Sequence, residues 1–159
     1  MGLLKALPLE EVLPQKPPMI LLSGYDPESL TEDGISAWVD ISESSLFYEE
    51  ELGGVPVSVA VEYMAQTVAC YVGLAQISNH LPPKIGFLLG SRNISLKIPA
   101  FLKGERYRIE SELLYEEDGF ASFSVSILDK DGACVVKGNL NAFQPNDPNK
   151  ILNEQEMAQ

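Results

Sequence analysis

One long, almost wholly apolar segment, residues 57–77, constrains the fold of this chain more than any other feature of its sequence. Fifteen of its 21 residues are apolar. A membrane-spanning helix needs about 20 apolar residues with few polar ones among them, but Glu62 and Gln66 lie well inside this segment and no basic cluster flanks it. The segment is therefore predicted to be a central helix that protein covers on most sides. It is expected to open at Pro56, with Ser58 as its cap, and to end within residues 79–83.

Alternating apolar and polar residues on both sides of this helix predict strands. Before it, residues 35–41 alternate and residues 19–22 form a short apolar run, while the proline-rich residues 1–18 predict irregular chain or a short helix. After it, the apolar strand faces consist of Ile94, Leu96 and Ile98; Tyr107, Ile109, Ser111 and Leu113; Ala121, Phe123, Val125 and Ile127; and Cys134, Val136, Leu140 and Ala142. Asp-Gly pairs in residues 118–119 and 129–132 predict hairpins. The pattern indicates an α+β fold with one long buried helix and an antiparallel meander.

Length and charge narrow the functions open to the chain. It has 159 residues, and residues 1–159 are expected to form a single domain with its core at about 13–143 and a polar tail over 144–159. A net charge of −12 disfavours nucleic acid as a partner. One histidine, His80, and two cysteines, Cys70 and Cys134, cannot build a His-rich or Cys-rich zinc site, so no metal or organic cofactor is implied.

The cysteines and the N-terminus bear on the compartment. Cys70 and Cys134 lie far apart with no motif around them, which is typical of free thiols in a reducing compartment. Residues 1–12 contain no long apolar run of the kind found in signal peptides. A cytoplasmic protein is therefore expected.

Three blocks of the sequence resemble motifs of the β-hydroxyacyl-thioester dehydratases, in the same order. Residues 13–22, LPQKPPMILL, resemble their "LPHxxPMLLLD" opening; residues 61–66, VEYMAQ, resemble their "EAMAQ" helix motif; and residues 95–104, SLKIPAFLKG, resemble their "vkFrkPvlPGD" strand and turn. The similarity runs from about residue 13 to about residue 143 and is closest to the divergent dehydratase-like proteins of aryl-polyene and related fatty-acid-type biosynthesis. It implies a hotdog fold, in which a curved antiparallel sheet wraps one long central helix, and a dimer formed through the sheets.

The resemblance also implies catalytic residues. Dehydration of a 3-hydroxyacyl thioester needs a base for the C2 proton, an acid for the departing hydroxyl and a donor that polarises the carbonyl. The family takes a histidine from one subunit and a carboxylate from the central helix of the other, and Glu62 matches that carboxylate. On an apolar helix, desolvation should favour its protonated form and make it a proton donor. Gln66, one turn later, is expected either to orient Glu62 or to make a helix-to-sheet hydrogen bond. A backbone N–H group near Val57 would polarise the carbonyl.

The chain departs from the family at its histidines. The family's catalytic histidine precedes the helix acid by 14 residues, and Tyr48 occupies that position here. Gln15 replaces the histidine of the "LPH" opening, and His80 lies beyond the helix, where a surface turn is the default. Tyr48 could be the base only if it ionised readily; otherwise it is expected to line the substrate tunnel. The other residues assigned to substrate binding are Val57, Phe87 and Leu88.

Three functions fit these residues. The first is a 3-hydroxyacyl-thioester dehydratase or dehydratase-like subunit that receives its histidine from a related subunit across a dimer interface. The second is a hotdog acyl thioesterase, in which Glu62 activates water or attacks the carbonyl. The third is a non-catalytic acyl-binding subunit, which the retained Glu62 and Gln66 disfavour. The expected substrate is an acyl thioester on acyl carrier protein or coenzyme A, and the expected assembly is a homodimer or heterodimer.

Positive charge is concentrated in residues 84–108, which hold six of the eleven basic residues. Within this stretch, the residues assigned to docking an acidic carrier protein are Arg92, Lys97, Lys103 and Arg106. The alternative is a solvated strand face. Glu110 and Glu112 face the same way as Arg106 and Arg108, so pairing between them could neutralise part of this charge.

Overall fold

The computed structural model describes residues 7–79 and 87–144, with only the backbone described for residues 87–89. Two helices and eight strands are present in this part of the chain. In chain order they are α1 (Leu9–Val12), β1 (Gly24–Asp26), β2 (Ser36–Asp40), β3 (Gly54–Pro56), α2 (Ala60–Ser78), β4 (Phe87–Leu96), β5 (Ala100–Leu102), β6 (Arg106–Glu117), β7 (Phe120–Leu128) and β8 (Cys134–Phe143). Short 3-10 turns occupy Pro27–Ser29, Glu50–Leu52 and Val57–Val59.

Six of the strands form one antiparallel sheet in the order β1-β2-β6-β7-β8-β4, and β3 pairs with β5 separately. The predicted hairpins are confirmed. Asp118 and Gly119 join β6 to β7 with φ angles of 52° and 85°, the left-handed pair that a tight two-residue turn requires. Gly132, with φ 81°, closes the turn between β7 and β8.

The predicted apolar faces of the sheet form its buried face. Tyr107, Ile109 and Ser111 are buried on β6, and the alternate residues of β7 and β8 pack beside them. The prediction fails at Leu96, which is exposed. A bulge between Arg92 and Ser95 interrupts the alternation of β4 there, so Leu96 does not continue the buried row.

The predicted central helix is present as α2, and its start differs from expectation. Pro56 ends β3, the 3-10 turn Val57–Val59 follows, and α2 begins at Ala60. Ser58 makes no capping hydrogen bond. The segment Val57–Ser78 is long and apolar enough to cross a membrane, but about half of its most apolar window is buried inside the fold, which makes it the core helix.

The predicted strand at residues 19–22 is wrong, because a side chain from α2 takes the place of a neighbouring strand. The carboxamide oxygen of Gln66 accepts the Leu21 N–H group at 2.8 Å and the Leu22 N–H group at 3.4 Å, and its nitrogen donates to the Met19 carbonyl at 2.8 Å. Strand β1 begins only at Gly24. The predicted tail beyond Gln144 and the surface turn at His80 lie outside the described residues.

Candidate active site

Glu62 lies in the first turn of α2, on the side of the helix that the sheet does not cover. Its neighbours Tyr63 and Met64 are buried, whereas its own side chain is exposed in this chain. Within residues 7–79 and 87–144 its carboxylate makes no hydrogen bond or ion pair. The expected burial of Glu62 is therefore not supplied by its own chain, and the carboxylate remains accessible to a substrate or a second subunit.

Gln66 is fully buried and serves a structural role in this chain. Among the described residues, the hydrogen bonds of its side chain go to the backbone of residues 19–22 and none goes to Glu62. Of the two interpretations of Gln66, the structure therefore shows the structural hydrogen bond, made to an irregular segment instead of the sheet. These bonds tie the opening block, residues 13–22, to the helix block, residues 61–66, and this fixes the chain around the first turns of α2.

The backbone donor expected at Val57 is already engaged. The Val57 N–H group donates to the carbonyl of Pro99 at 3.1 Å, which joins the start of the helix to the segment before β5. The first N–H groups of any helix have no partner within the helix, so Ser58 and Val59 are the next backbone donors in line. The positive end of the α2 dipole lies at the same end of the helix, so it would add to the attraction of these N–H groups for negative charge.

Tyr48 is half-buried against the core, and its N–H group closes a turn by donating to the Ser45 carbonyl at 3.0 Å. Tyr48 also has a small electrostatic effect on the Lys103 ammonium. The pKa of Lys103 is raised first by its hydrogen bond and ion pair to Glu43, and to a smaller extent by Tyr48. Phe87 and Leu88, the other expected lining residues, have their backbones paired with Phe143 and Ala142 in the sheet.

An aromatic cluster that the sequence did not predict packs at the start of α2, beside the candidate site. The Phe101 ring lies 5.3 Å from Tyr63 and 4.9 Å from Tyr107, measured between ring centroids. Burial raises the pKa of Tyr63 to about 12, so its phenol stays neutral. Tyr107 accepts the Leu102 N–H group at 2.9 Å and donates to a carboxylate oxygen of Glu105 at 2.8 Å. The cluster holds β5 against the start of α2, and the sequence signal for it was a tyrosine inside the VEYMAQ block.

The structure divides the expected carrier-docking residues into two groups. Arg106 donates to both carboxylate oxygens of Asp40, at 2.7 and 3.0 Å, and its guanidinium lies 5.1 Å from the Trp38 ring centroid. Lys103 pairs with Glu43. Arg92 and Lys97 are exposed, and the described part of the chain offers neither of them an ion pair. Among the four expected docking residues, the two cations without an ion pair therefore lie on β4 and directly after it.

The expected pairing within β6 is confirmed for one residue. Arg108 pairs with Glu110 at 3.2 Å. Arg106 instead pairs with Asp40, its direct cross-strand neighbour on β2. Among the described residues, no group of three histidine, cysteine or acidic side chains is placed to hold a metal ion.

A long helix packed against a large antiparallel sheet, with a carboxylate in the first turn of that helix, defines a protein of the hotdog fold. Residues 7–153 match the ApeP-like family, described as ApeP dehydratase. The chain belongs to this family.

One solved structure agrees with this assignment, and others share the fold. The chain is similar to a chain of the dehydratase heterocomplex ApeI:P from Xenorhabdus doucetiae, with 30% identity and a TM-score of 0.84 over 93% of this chain and 97% of that one. It shares the fold of a hypothetical thioesterase with coenzyme A from Streptococcus pneumoniae TIGR4, at 18% identity and a TM-score of 0.58 over 78% of this chain and 88% of that one. The HP0420 homologue from Helicobacter felis also has this fold, at 12% identity and a TM-score of 0.67 over 92% of this chain and 95% of that one. No curated protein matches the chain.

Proposed function

We propose that this chain is the helix-carboxylate subunit of a 3-hydroxyacyl-thioester dehydratase in fatty-acid or polyene-type biosynthesis. Its partner would be a related hotdog subunit that supplies the histidine. The observation that carries the proposal is the exposed carboxylate of Glu62 at the start of α2, in a chain whose one histidine, His80, follows the helix in sequence. A catalytic acid without its base is what one half of a shared site should look like.

The uncovered surfaces of the chain support a paired assembly. Below Glu62, the same side of α2 carries Ala65, Ala69 and Val72, which are only half-buried. Strand β4 is ten residues long and, among the described strands, pairs only with β8, so its other edge is open. Long open edges are normally covered in native proteins. A second hotdog subunit would cover both surfaces, and the similar ApeI:P assembly is a heterocomplex.

Each proton of the proposed reaction has a donor and an acceptor. The histidine of the partner would remove the C2 proton of the 3-hydroxyacyl thioester, and the electron pair would form the C2–C3 double bond as the C3–O bond breaks. Glu62 would act as the general acid and give a proton to the departing hydroxyl, which leaves as water. Backbone N–H groups in the first turn of the helix would stabilise the charge that develops on the thioester oxygen.

The charges of the surface favour an acyl carrier protein as the carrier. Carrier proteins are acidic, and the uncompensated cations Arg92 and Lys97 are suited to attract one to an otherwise negative chain. Such a subunit would work in the cytoplasm, where the free thiols Cys70 and Cys134 stay reduced.

An assay with and without the partner tests the proposal. The chain and a histidine-bearing hotdog protein from the same organism would be mixed with a 3-hydroxyacyl carrier protein, and the loss of water followed by mass spectrometry. Dehydration should require both proteins and should fall at least roughly a hundredfold with Glu62→Gln. Glu112→Gln, the same change at an exposed acid on β6, is the matched control and should have no effect.

Hydrolysis of plain acyl thioesters separates the remaining functions. Hydrolysis by the chain alone that Glu62→Gln abolishes would identify a thioesterase instead of a dehydratase. Full dehydration by the partner alone, unchanged by this chain, would identify a non-catalytic subunit and contradict the proposal.

A further inference from the structure

An exposed apolar patch is formed by the loop before α2 and the end of strand β5. Its members are Leu46, Phe47, Leu52 and Leu102, with 37%, 49%, 41% and 45% of their surface exposed. Local structure gathers them, because a turn at Ser45 presents the first two, a bridge between Glu49 and Gly54 folds the chain back, and Gly54 pairs directly with Leu102. Large apolar side chains grouped on a surface mark an interaction site. We call these four residues the loop patch.

The backbone conformation of Phe47 is unfavourable, which indicates that the fold holds its ring in the outward position. Its φ angle is 70°, in the left-handed region that is unfavourable for an aromatic residue. The ring is half exposed, so packing inside this chain does little to offset that conformation. Backbone conformations of this kind persist mainly where they serve a contact or a functional site.

The loop patch has a negative rim. Glu49, Glu50 and Glu51 follow Phe47 and Tyr48 directly, and all three are exposed. The structure gives these three glutamates no ion pair within its described ranges. Lys103, whose N–H group donates to the Gly53 carbonyl beside these glutamates, is already paired with Glu43. A surface that fits this one therefore has an apolar centre and a basic rim.

We propose that the loop patch binds the related hotdog subunit through a basic-rimmed apolar surface, and that its charge selects that subunit over a second copy of this chain. The identity of the partner rests on the proposed function. In a contact between two identical patches each surface meets itself, so six glutamates would face one another. Like charges opposed across an interface disfavour that pairing. The same charges disfavour an anionic membrane as the occupant.

Binding at this surface would complete the site. Tyr48 lies between Phe47 and Glu49, inside the loop that carries the patch, and is half-buried against the core. A subunit seated on the loop patch would cover Tyr48 and place its own residues beside it. The same contact would therefore set the choice of partner and the composition of the site.

The test measures binding apart from activity. The probe is the histidine-bearing hotdog protein of the same organism, titrated calorimetrically onto the full chain. The double variant Phe47→Ser, Leu52→Ser should bind more weakly, with a Kd raised by roughly tenfold or more. Charge reversal at Glu49, Glu50 and Glu51 to lysine should raise the Kd similarly and reverse its dependence on salt, because the lysines would repel the basic rim of the partner.

Two matched controls separate the patch from general surface effects. Leu114→Ser changes an equally exposed leucine on β6, and Glu112→Lys with Glu116→Lys reverses exposed charges on that strand. Both should leave the Kd within about twofold of the wild-type value. Circular dichroism checks that each variant is folded.

Several results would overturn the inference. These are no binding by the wild-type chain, a Kd that neither patch variant changes, a dimer of the chain alone that the patch variants dissociate, and patch-dependent binding to phosphatidylglycerol vesicles. Dehydration is measured separately. A patch-dependent complex without activity would contradict the proposed function and support this inference, and an active complex indifferent to the patch would do the reverse.

Discussion

Gln66, in the second turn of α2, holds Leu21 by a hydrogen bond of 2.8 Å from the Leu21 N–H group to the side-chain oxygen. The two residues lie 45 positions apart in sequence, and the bond is part-buried. This bond and the bond from the Gln66 nitrogen to the Met19 carbonyl satisfy backbone groups of residues 19–22. A neighbouring strand would otherwise supply these hydrogen bonds.

Replacing Gln66 should therefore destabilise the chain strongly. Gln66→Leu keeps the volume and leaves the polar backbone groups of Met19, Leu21 and Leu22 without their partner, at a cost of about 2–4 kcal/mol. Urea unfolding measures the change. The matched control is Gln15→Leu, because the buried oxygen of Gln15 has no hydrogen-bond partner among the described residues, and this change should cost less than about 1 kcal/mol. Equal losses in the two variants would contradict the structural role of Gln66.

The packing of α1 on α2 depends on the absence of a side chain at Gly73. A Cβ atom built there would lie 2.3 Å from the Val12 carbonyl oxygen, so Gly73→Ala must displace α1. We expect a loss of about 1–3 kcal/mol despite the better helix propensity of alanine. Thermal unfolding measures it, with Gly90→Ala as the control, because a Cβ at Gly90 meets open space. A Gly73→Ala variant as stable as the wild type would show that α1 packs differently.

Stability should fall in alkaline solution because of a buried thiol. Burial raises the pKa of Cys70 from its ordinary 9.0 to about 12. Between these two values the unfolded chain loses the thiol proton and the folded chain keeps it, so rising pH favours unfolding. The stabilisation is fully present below about pH 9 and is lost towards pH 12, by at most about 1.4 kcal/mol for each pH unit.

Urea titrations from about pH 8 to about pH 11 check this slope. Cys70→Ala should flatten the first part of the decline, while Cys134→Ala, at the other free thiol, should keep it. Tyr63 and Tyr107, whose pKa values burial raises to about 12, add to the decline only above about pH 10 in both variants. An identical slope in the wild type and Cys70→Ala would contradict the burial of the thiol.

The pairing of charges predicts which cations matter for a carrier protein. Arg92→Glu and Lys97→Glu should raise KM for a carrier-bound substrate several-fold with little change in kcat, because both cations are exposed without an ion pair among the described residues. Arg106→Ala should have a smaller effect, since Asp40 already neutralises that guanidinium. The same substrate on free pantetheine, which lacks the acidic carrier, should show no effect of either change. A larger effect of Arg106→Ala would move the docking surface to β6.

Much of the fold could be predicted because every second residue of a strand lies on its buried face, so the apolar alternation is visible in the sequence. The rows Tyr107, Ile109, Ser111 and Phe123, Val125, Ile127 became the core as expected. The helix gave no comparable signal. Because α2 is apolar nearly all round, its sequence does not show which side faces the sheet, and the exposure of Glu62 could not be predicted. The pairing of Asp40 with Arg106, 66 positions apart, depends equally on strand register, which only the structure shows.

The half-covered state of α2 has a consequence for folding as well as for chemistry. One sheet from one chain buries about half of the most apolar window of this helix. If a second subunit covers the remainder, part of the free energy of unfolding comes from the contact between subunits. That part increases with the concentration of the partner by mass action. The melting temperature of the chain should then rise with the amount of partner present. In a cell, the supply of one subunit would set how long the other survives.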